Sequence, residues 1–446
     1  MLVAQKETEV RHALLERLVD ARNRTDEIFS IVRPDSLYER PIPERHRIIF
    51  YIGHLEAFDW NLLRERVLDL KTFHPEYDKL FAFGIDPVNG ALPSDTPVDW
   101  PSIADTRDYV NRIRKSIDEG LAALSPSDWN SSVGEDFTAE TLLNVAIEHR
   151  LMHAETLAYM LHQLPLERKV SRPRKPALVV GPVTPKMIEI PAGTATLGLS
   201  RRDEGAFGWD NEYESQSIDV PAFEIDKYKV TNGEFLDFVD VGGYENPAWW
   251  TEEDWNWRAA NGVRHPAFWS RIRDQWYYRT MFDEIPLPLD WPVYVSHAEA
   301  NAYARWAGKS LPSEAQWHRA AYGTDDPTER TFPWGSAPPK PSKGNFDFRS
   351  WDPTPVGAFP EGQSAFGVVD LLGNGWEWTS SRFEPFPGFQ RFSFYPGYSA
   401  DFFDGKHYVM KGASARTAEC MLRRSFRNWF QPHYQYVYAG FRCVSN

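Results

Sequence analysis

The sequence predicts an α+β chain: an N-terminal four-helix bundle followed by a domain of short strands, few helices and long loops. Three observations carry this. Apolar residues recur at helical spacing up to about residue 163. A proline-rich, basic stretch then runs from Pro165 to Lys186. Beyond it, short apolar runs alternate with Gly, Pro and Asn, and most of the 18 Trp fall after residue 200.

A chain of 446 residues exceeds the size at which one core stops growing, so two domains are expected. The boundaries are placed at residues 1–165 for the bundle, 166–185 for the linker and 186–446 for the second domain. In the bundle, Leu14, Leu15, Leu18, Val19 and Ile28 lie at i, i+3, i+4 spacing. Ile49, Phe50, Leu55, Phe58, Leu62 and Leu63 repeat the pattern after Pro43. Ser102 can cap a third helix carrying Val110, Ile113, Ile117 and Leu121. A fourth begins near Thr138 and stops before Pro165. The Gly/Pro-rich connection 81–101 is long enough to line a site. The run LERKVSRPRKPALVVGPVTP has the character of a linker. In the second domain, helices are expected near Ala298–Trp306 and Ser313–Tyr322. Strands are expected in segments such as MIEIPAGTATLG, FEIDKYKVTN, WPVYVS and AGFRCV.

Composition excludes several classes of function. A net charge of -14 with no basic stripe disfavours nucleic acid. No apolar run reaches the ~20 residues of a membrane-spanning helix. The N-terminus lacks an apolar signal core and a cleavage site, which predicts a cytoplasmic protein. Two cysteines, Cys420 and Cys443, supply neither a disulfide framework nor a thiolate cluster, so a metal must rest on histidine or carboxylate.

The sharpest local feature is His149-Arg-Leu-Met-His153. Residues at i and i+4 share a helix face, so two imidazoles there can chelate one ion. Both lie on the stripe Leu142, Val145, Ala146, His149, His153, Thr156, Leu157 and Met160, where apolar residues belong. Buried imidazoles need partners, and a metal supplies them; ordinary hydrogen bonds are the alternative. The spacing is that of a zinc protease helix, but residue 150 is Arg where the general base should be Glu, which sets hydrolysis aside. His54, on the apolar stripe of FYIGHLEAF, is the better third ligand; His46 and His74 sit among charges or in connections. Three neutral imidazoles leave half of an octahedral ion open, as in facial non-haem iron sites, although zinc is chemically possible.

The Gly53-His54 pair and the Glu148-His149…His153 pattern resemble a DinB-like domain. GWDNE (208–212), VTNGEF (230–235), PVYVSHAEANAYARWAGKSLPSEAQW (292–317), GNGWEWT (373–379) and RNWFQPHYQYVYAGFRC (427–443) resemble the C-type-lectin-like fold of formylglycine-generating enzymes. In this order the domains resemble the ergothioneine sulfoxide synthases and the related selenoneine synthases. These join sulfur or selenium to imidazole C2 of hercynine, the trimethylated betaine of histidine.

The resemblance implies Fe(II) on His54, His149 and His153, with O2 as oxidant, and a hercynine pocket in the second domain at Asn428 and Trp429. It also implies a proton-donating tyrosine at Tyr395 or Tyr398, whose i, i+3 spacing fits one donor and one positioning residue. An aromatic face suits the trimethylammonium group, although Trp429 as core is the plain alternative. Relatives that take γ-glutamylcysteine carry Asp after the Asn-Trp pair and arginines in the bundle connection. Here Phe430 follows, the connection has no arginine, and Met152 replaces a polar residue. These departures favour a selenosugar or cysteine as co-substrate. Formylglycine formation is not expected, because only Cys443 has a matching context. The rival class is a sugar- or peptide-binding module with structural histidines, since the lectin-like fold hosts many binding functions.

Overall fold

The computed structural model describes residues 2–82, 92–125, 128–129, 132–133, 137–173, 178–202 and 206–445. It divides into two compact units, Met1–Arg172 and Pro173–Asn446.

Among the described residues the first unit has four long helices, α1 (Leu2–Ser30), α2 (Ile48–Leu63), α4 (Ile103–Ala123) and α5 (Ala139–Gln163), with a short α3 (Pro75–Leu80) after α2. A two-residue hairpin, β1 (Ser132–Val133) and β2 (Phe137–Thr138), precedes α5. The start signals work as side-chain caps: Ser102 Oγ accepts from the Asp105 amide and Thr138 Oγ1 from the Thr141 amide. Helix α4 buries Val110, Ile113, Ile117 and Leu121 on one face. Helix α5 packs against α1 and α2, and α2 against α4 as well.

Two sequence expectations are corrected here. Val19 is 53% exposed; it lies one step off the face carrying Leu14 and Leu18. Helix α5 does not bury a single stripe. Flanked by two helices, it also buries Leu143, Ile147, Glu148, Arg150 and Glu155, whereas Thr156 stays half-buried.

Residues 166–172, expected to begin the linker, pack on the first unit. Val170 N–H donates to Ile31 O (2.7 Å), and the buried Lys169 reaches Leu161 O with its ammonium (3.1 Å). Lys169 caps carbonyls at the end of α5, and Arg168 and Arg172 pair with Glu39 and Glu27 of the bundle. Of the connection 81–101, residues 83–91 lie outside the described residues. Arg40 and Arg47 bond its later part through Asp95 and the Pro93 carbonyl.

In the second unit β3 (Met187–Ile190), β4 (Gly193–Leu197), β5 (Gln216–Val220) and β6 (Phe223–Asp226) come first. They are followed by β7 (Trp269–Ile272), β8 (Gln275–Arg279) and β9 (Glu284–Pro286), and then by β10 (Gly375–Arg382), β11 (Tyr408–Ala413), β12 (Asn428–Phe430), β13 (Ala439–Gly440) and β14 (Val444–Ser445). The main sheet runs β12-β11-β10-β13, antiparallel except for the parallel pair β10 and β13; the smaller sheets are β14-β6-β3, β4-β5 and β7-β8-β9. Register sets Tyr408 opposite Phe430 and Val409 opposite Trp429. In GNGWEWT, Asn374 and Gly375 take φ of +62° and +123°, a turn that glycine tolerates. Glu377 then enters the core and accepts from Lys229 Nζ (2.5 Å), Arg442 Nε (2.6 Å) and Trp317 Nε1 (3.0 Å). Three motifs far apart in sequence meet at this carboxylate.

The two expected helices form as α8 (His297–Trp306) and α9 (Glu314–Tyr322), but α6 (Asn232–Asp240) and α7 (Glu252–Ala260) precede them. Both unexpected helices are short and start at threonine caps, Thr231 with Glu234 in a capping box and Thr251 on the Asp254 amide. WPVYVS is not a strand. Its buried valines make single bonds to separate neighbours, Val293 N–H to Val230 O and Val295 N–H to Ala439 O. No described helix is long and apolar enough to cross a membrane.

Candidate metal centre

Helices α2 and α5 bring three imidazoles together. His54 projects from α2 and His149 and His153 from α5, one turn apart; each is 2–3% exposed. One ring nitrogen from each lies within 4.8 Å of the others. His149 Nε2 and His153 Nε2 are 3.1 Å apart. An imidazole–metal distance of about 2.1 Å with ligands at right angles puts two nitrogens about 3 Å apart, so this pair fits one ion. His54 Nδ1–H donates to the Phe81 carbonyl (2.7 Å), and its Nε2 has no hydrogen-bond partner among the described residues. A buried, unpartnered nitrogen beside two others is a donor set for a cation.

The electrostatics agree. Burial pushes His54 down to about 4, against the pull of the Phe81 carbonyl. Burial, then the neighbouring rings, lower His149 and His153 well below the ordinary histidine value. All three are therefore neutral at pH 7, the form that ligates a metal. Aromatic faces hold two of the rings: Phe50 stacks on His54 (4.8 Å, 21°) and Phe58 on His149 (3.4 Å, 12°). His46 instead packs against Phe50 (4.3 Å), and His74 caps α3 by accepting from the Tyr77 amide. Met152 is half-buried on α5.

Sequence reasoning treated Arg150 only as the absence of a glutamate. It is fully buried and donates to Glu56 Oε1 (2.8 Å), Asp59 Oδ2 (2.6 Å) and the Leu55 carbonyl (3.1 Å). Arg114 Nε also donates to Glu56 Oε1 (2.8 Å). Burial alone would raise Glu56; the two guanidiniums outweigh it and hold it at about 2. Burial raises Asp59, with Glu56 adding to it and Arg150 opposing. An ion cluster thus ties α2 to α5 along the segments that carry the histidines. The available signal was a Glu and an Asp, three residues apart, inside the otherwise apolar helix FYIGHLEAFDW.

In the second unit Tyr395, Tyr398 and Trp429 are neighbours. Tyr398 stacks on Trp209 (3.9 Å, 25°), meets Trp429 edge-on (5.4 Å, 79°) and lies 5.7 Å from Tyr395. Trp429 stacks on Phe383 (4.2 Å, 7°). Tyr398 is buried; Tyr395, Asn428, Trp429 and Phe430 are half-buried. Asn428 Oδ1 accepts from the Trp429 amide, and Phe430 stacks on Tyr434 (5.0 Å, 18°). The sequence reading missed Asp210, which takes the Ser399 hydroxyl (2.6 Å) and so fastens the tyrosine loop to the GWDNE segment.

Residues 177–446 match the sulfatase-modifying factor enzyme 1-like domain, and residues 17–157 match the DinB superfamily. The chain is 38% identical over 354 residues to hercynine oxygenase of Mycobacterium tuberculosis, covering 77% of this chain and 78% of that protein. It is 33% identical over 448 residues to hercynine oxygenase of Mycolicibacterium smegmatis, covering 97% and 99%. With ergothioneine biosynthesis protein 1 of Neurospora crassa the identity is 28% over 499 residues, covering 92% of this chain and 55% of that protein.

The chain belongs to the ergothioneine sulfoxide synthase family. Its DinB domain is the unit that holds the three histidines, and its formylglycine-generating-enzyme-like domain holds the aromatic cluster. The chain is also 29% identical over 247 residues to the formylglycine-generating enzyme of Mycobacterium tuberculosis, covering 45% of this chain and 75% of that protein. Within the synthase fold Cys443 is a buried free thiol. Burial, then Asp226, raise the Cys443 thiol well above its ordinary value, which makes it a poor nucleophile.

Proposed function

We propose that this chain is an O2-dependent mononuclear non-haem iron(II) enzyme that forms a carbon–selenium or carbon–sulfur bond at imidazole C2 of hercynine. The observation that carries the proposal is the convergence of three buried, neutral imidazoles in a family whose relatives are named hercynine oxygenases. His54, His149 and His153 hold the ion. Iron(II) bound there supplies activation of O2 as the oxidant. Three neutral ligands leave the ion's charge uncompensated, which favours a selenolate or thiolate co-substrate.

The remaining roles belong to the protein's own groups. Trp429 offers an aromatic face to the trimethylammonium group, and Asn428, whose side-chain NH2 makes no hydrogen bond among the described residues, binds the polar part of hercynine. As the new bond forms, the C2–H and chalcogen–H bonds break, and their two electrons and two protons pass to O2 as the oxidant. Tyr395, the less buried of the two tyrosines, would serve as the proton donor, and Tyr398, stacked on Trp209, would position it. Phe430 in the second unit and Met152 in the first are apolar at positions where relatives that take γ-glutamylcysteine or a water-linked substrate carry charged or polar residues. Arg40 and Arg47, which bond residues 93 and 95 of the 81–101 connection, are paired with Asp95, so among the described residues neither is offered to a γ-glutamyl carboxylate. A neutral selenosugar is therefore favoured, with free cysteine next.

The test is a parallel incubation of anaerobically reconstituted Fe(II) protein with hercynine, O2 and one of three donors: a selenosugar, cysteine or γ-glutamylcysteine. Mass spectrometry should find one dominant C2 adduct, with stoichiometric iron in the wild type and none in His149→Ala. Absence of metal uptake, or consumption of none of the donors, would leave the protein as a binding module.

A further inference from the structure

A glycine in the middle of a helix is disfavoured relative to alanine and calls for a packing reason. Gly53, directly before His54 in α2, has one. A Cβ built there would stand 2.5–2.6 Å from three carbons of the Phe81 ring, closer than a real side chain comes. The ring has little room to retreat. Phe81 is fully buried and packs against Tyr109 (5.8 Å), Tyr77 (5.8 Å) and Trp100 (6.2 Å).

The backbone at Phe81 is held as firmly. Its amide donates to Tyr77 O (3.0 Å) at the end of α3. Helix α3 is anchored through Asp78. Its carboxylate accepts from Tyr109 OH (2.8 Å), Trp60 Nε1 (3.3 Å) and the Thr72 hydroxyl, and its carbonyl accepts from Asn61 Nδ2 (3.1 Å). The Phe81 carbonyl is thereby placed 2.7 Å from His54 Nδ1. That bond puts the proton on Nδ1 and leaves the Nε2 lone pair for an ion shared with the other two histidines, while the Phe50 ring sets the imidazole plane.

We propose that Gly53 and Phe81 are positioning residues for the metal centre: the side-chain-free notch at Gly53 seats the Phe81 ring so that its carbonyl fixes the tautomer and orientation of His54. The inference rests on reading the three histidines as a metal site. It assigns α3, which carries no ligand, the task of aiming one.

The test is Co(II) and Fe(II) binding by the full chain, with the visible absorption of the Co(II) form as a readout independent of turnover. Gly53→Ala should weaken binding about 10- to 100-fold and alter the Co(II) spectrum. Adding Phe81→Leu, which trims the ring and keeps the carbonyl, should return affinity to within about threefold of wild type. Wild-type affinity and spectrum in Gly53→Ala overturn the proposal. So does a folded double variant that still binds tenfold more weakly than wild type, and this arm decides the matter if Gly53→Ala alone does not fold. Failure of the wild type to bind either ion sinks the metal reading itself, a distinguishable result.

Discussion

The histidine centre of the first unit and the aromatic cluster of the second are built in opposite ways. The centre draws on two regular helices, and its parts are ionic or polar: three imidazoles, with Arg150, Glu56 and Asp59 on the same two helices. The aromatic cluster draws on loops and one short edge strand, and its parts are stacked rings: Trp209, Phe383, Tyr398 and Trp429. Geometry in the centre is held by charge-assisted hydrogen bonds, which are directional and costly to leave half-made. In the cluster it is held by ring area, which tolerates small shifts. The centre should therefore fail steeply when one partner is removed, and the cluster gradually.

The largest effect should come from Arg150→Met. Removing one partner of a buried ion cluster leaves its carboxylates uncompensated, which costs about 3–5 kcal/mol. Chemical denaturation should show this loss, and Asp59→Asn in the same chain should recover part of it. No recovery would mean that Arg150 acts through packing alone.

Next comes acid. In the unfolded chain a histidine takes up a proton near 6.5, whereas folded, metal-free His54 does so at about 4. Between those values the unfolded state binds more protons, so stability falls as pH falls. For His54 alone the loss reaches about 3 kcal/mol at the lower value. The metal-free wild type should lose stability more steeply than a variant with all three histidines changed to alanine, measured by denaturation midpoints across that window. Equal slopes would contradict the buried, neutral assignment.

The smallest effect should follow Trp429→Ala: about a tenfold rise in KM for hercynine, or about 1.4 kcal/mol, with metal content unchanged. A loss of bound iron in that variant would show that the two regions do not fail independently.

The two regions were also unequally legible. His149 and His153 could be paired from spacing alone because a helix repeats every 3.6 residues, and His54 could be chosen over His46 and His74 from its apolar neighbours. Glu56, Asp59 and Arg150 were not recognised, because a charge in a helix gives no sign by itself that its partner sits on another helix. The short helices α6 and α7 were missed for a local reason: their cap residues, Thr231 and Thr251, open segments too short for periodicity to register. The neighbourhood of Trp209, Tyr398 and Trp429 has no periodic signal, since its members come from separate loops and an edge strand.

By itself the sequence determined the α+β class, the family through its motifs, the capped helix starts at Ser102 and Thr138, and the candidate ligands His54, His149 and His153. These follow from local rules of spacing, capping and composition. Only the tertiary structure decided that Arg150 is a buried ion partner, that Tyr398 stacks on Trp209 beside Trp429, and that Phe81 aims His54 across a notch left by Gly53. The physical reason is range. Helical repeat and side-chain caps act within a few residues, whereas buried charge pairing, ring stacking and steric fit act between segments that only the folded chain brings together.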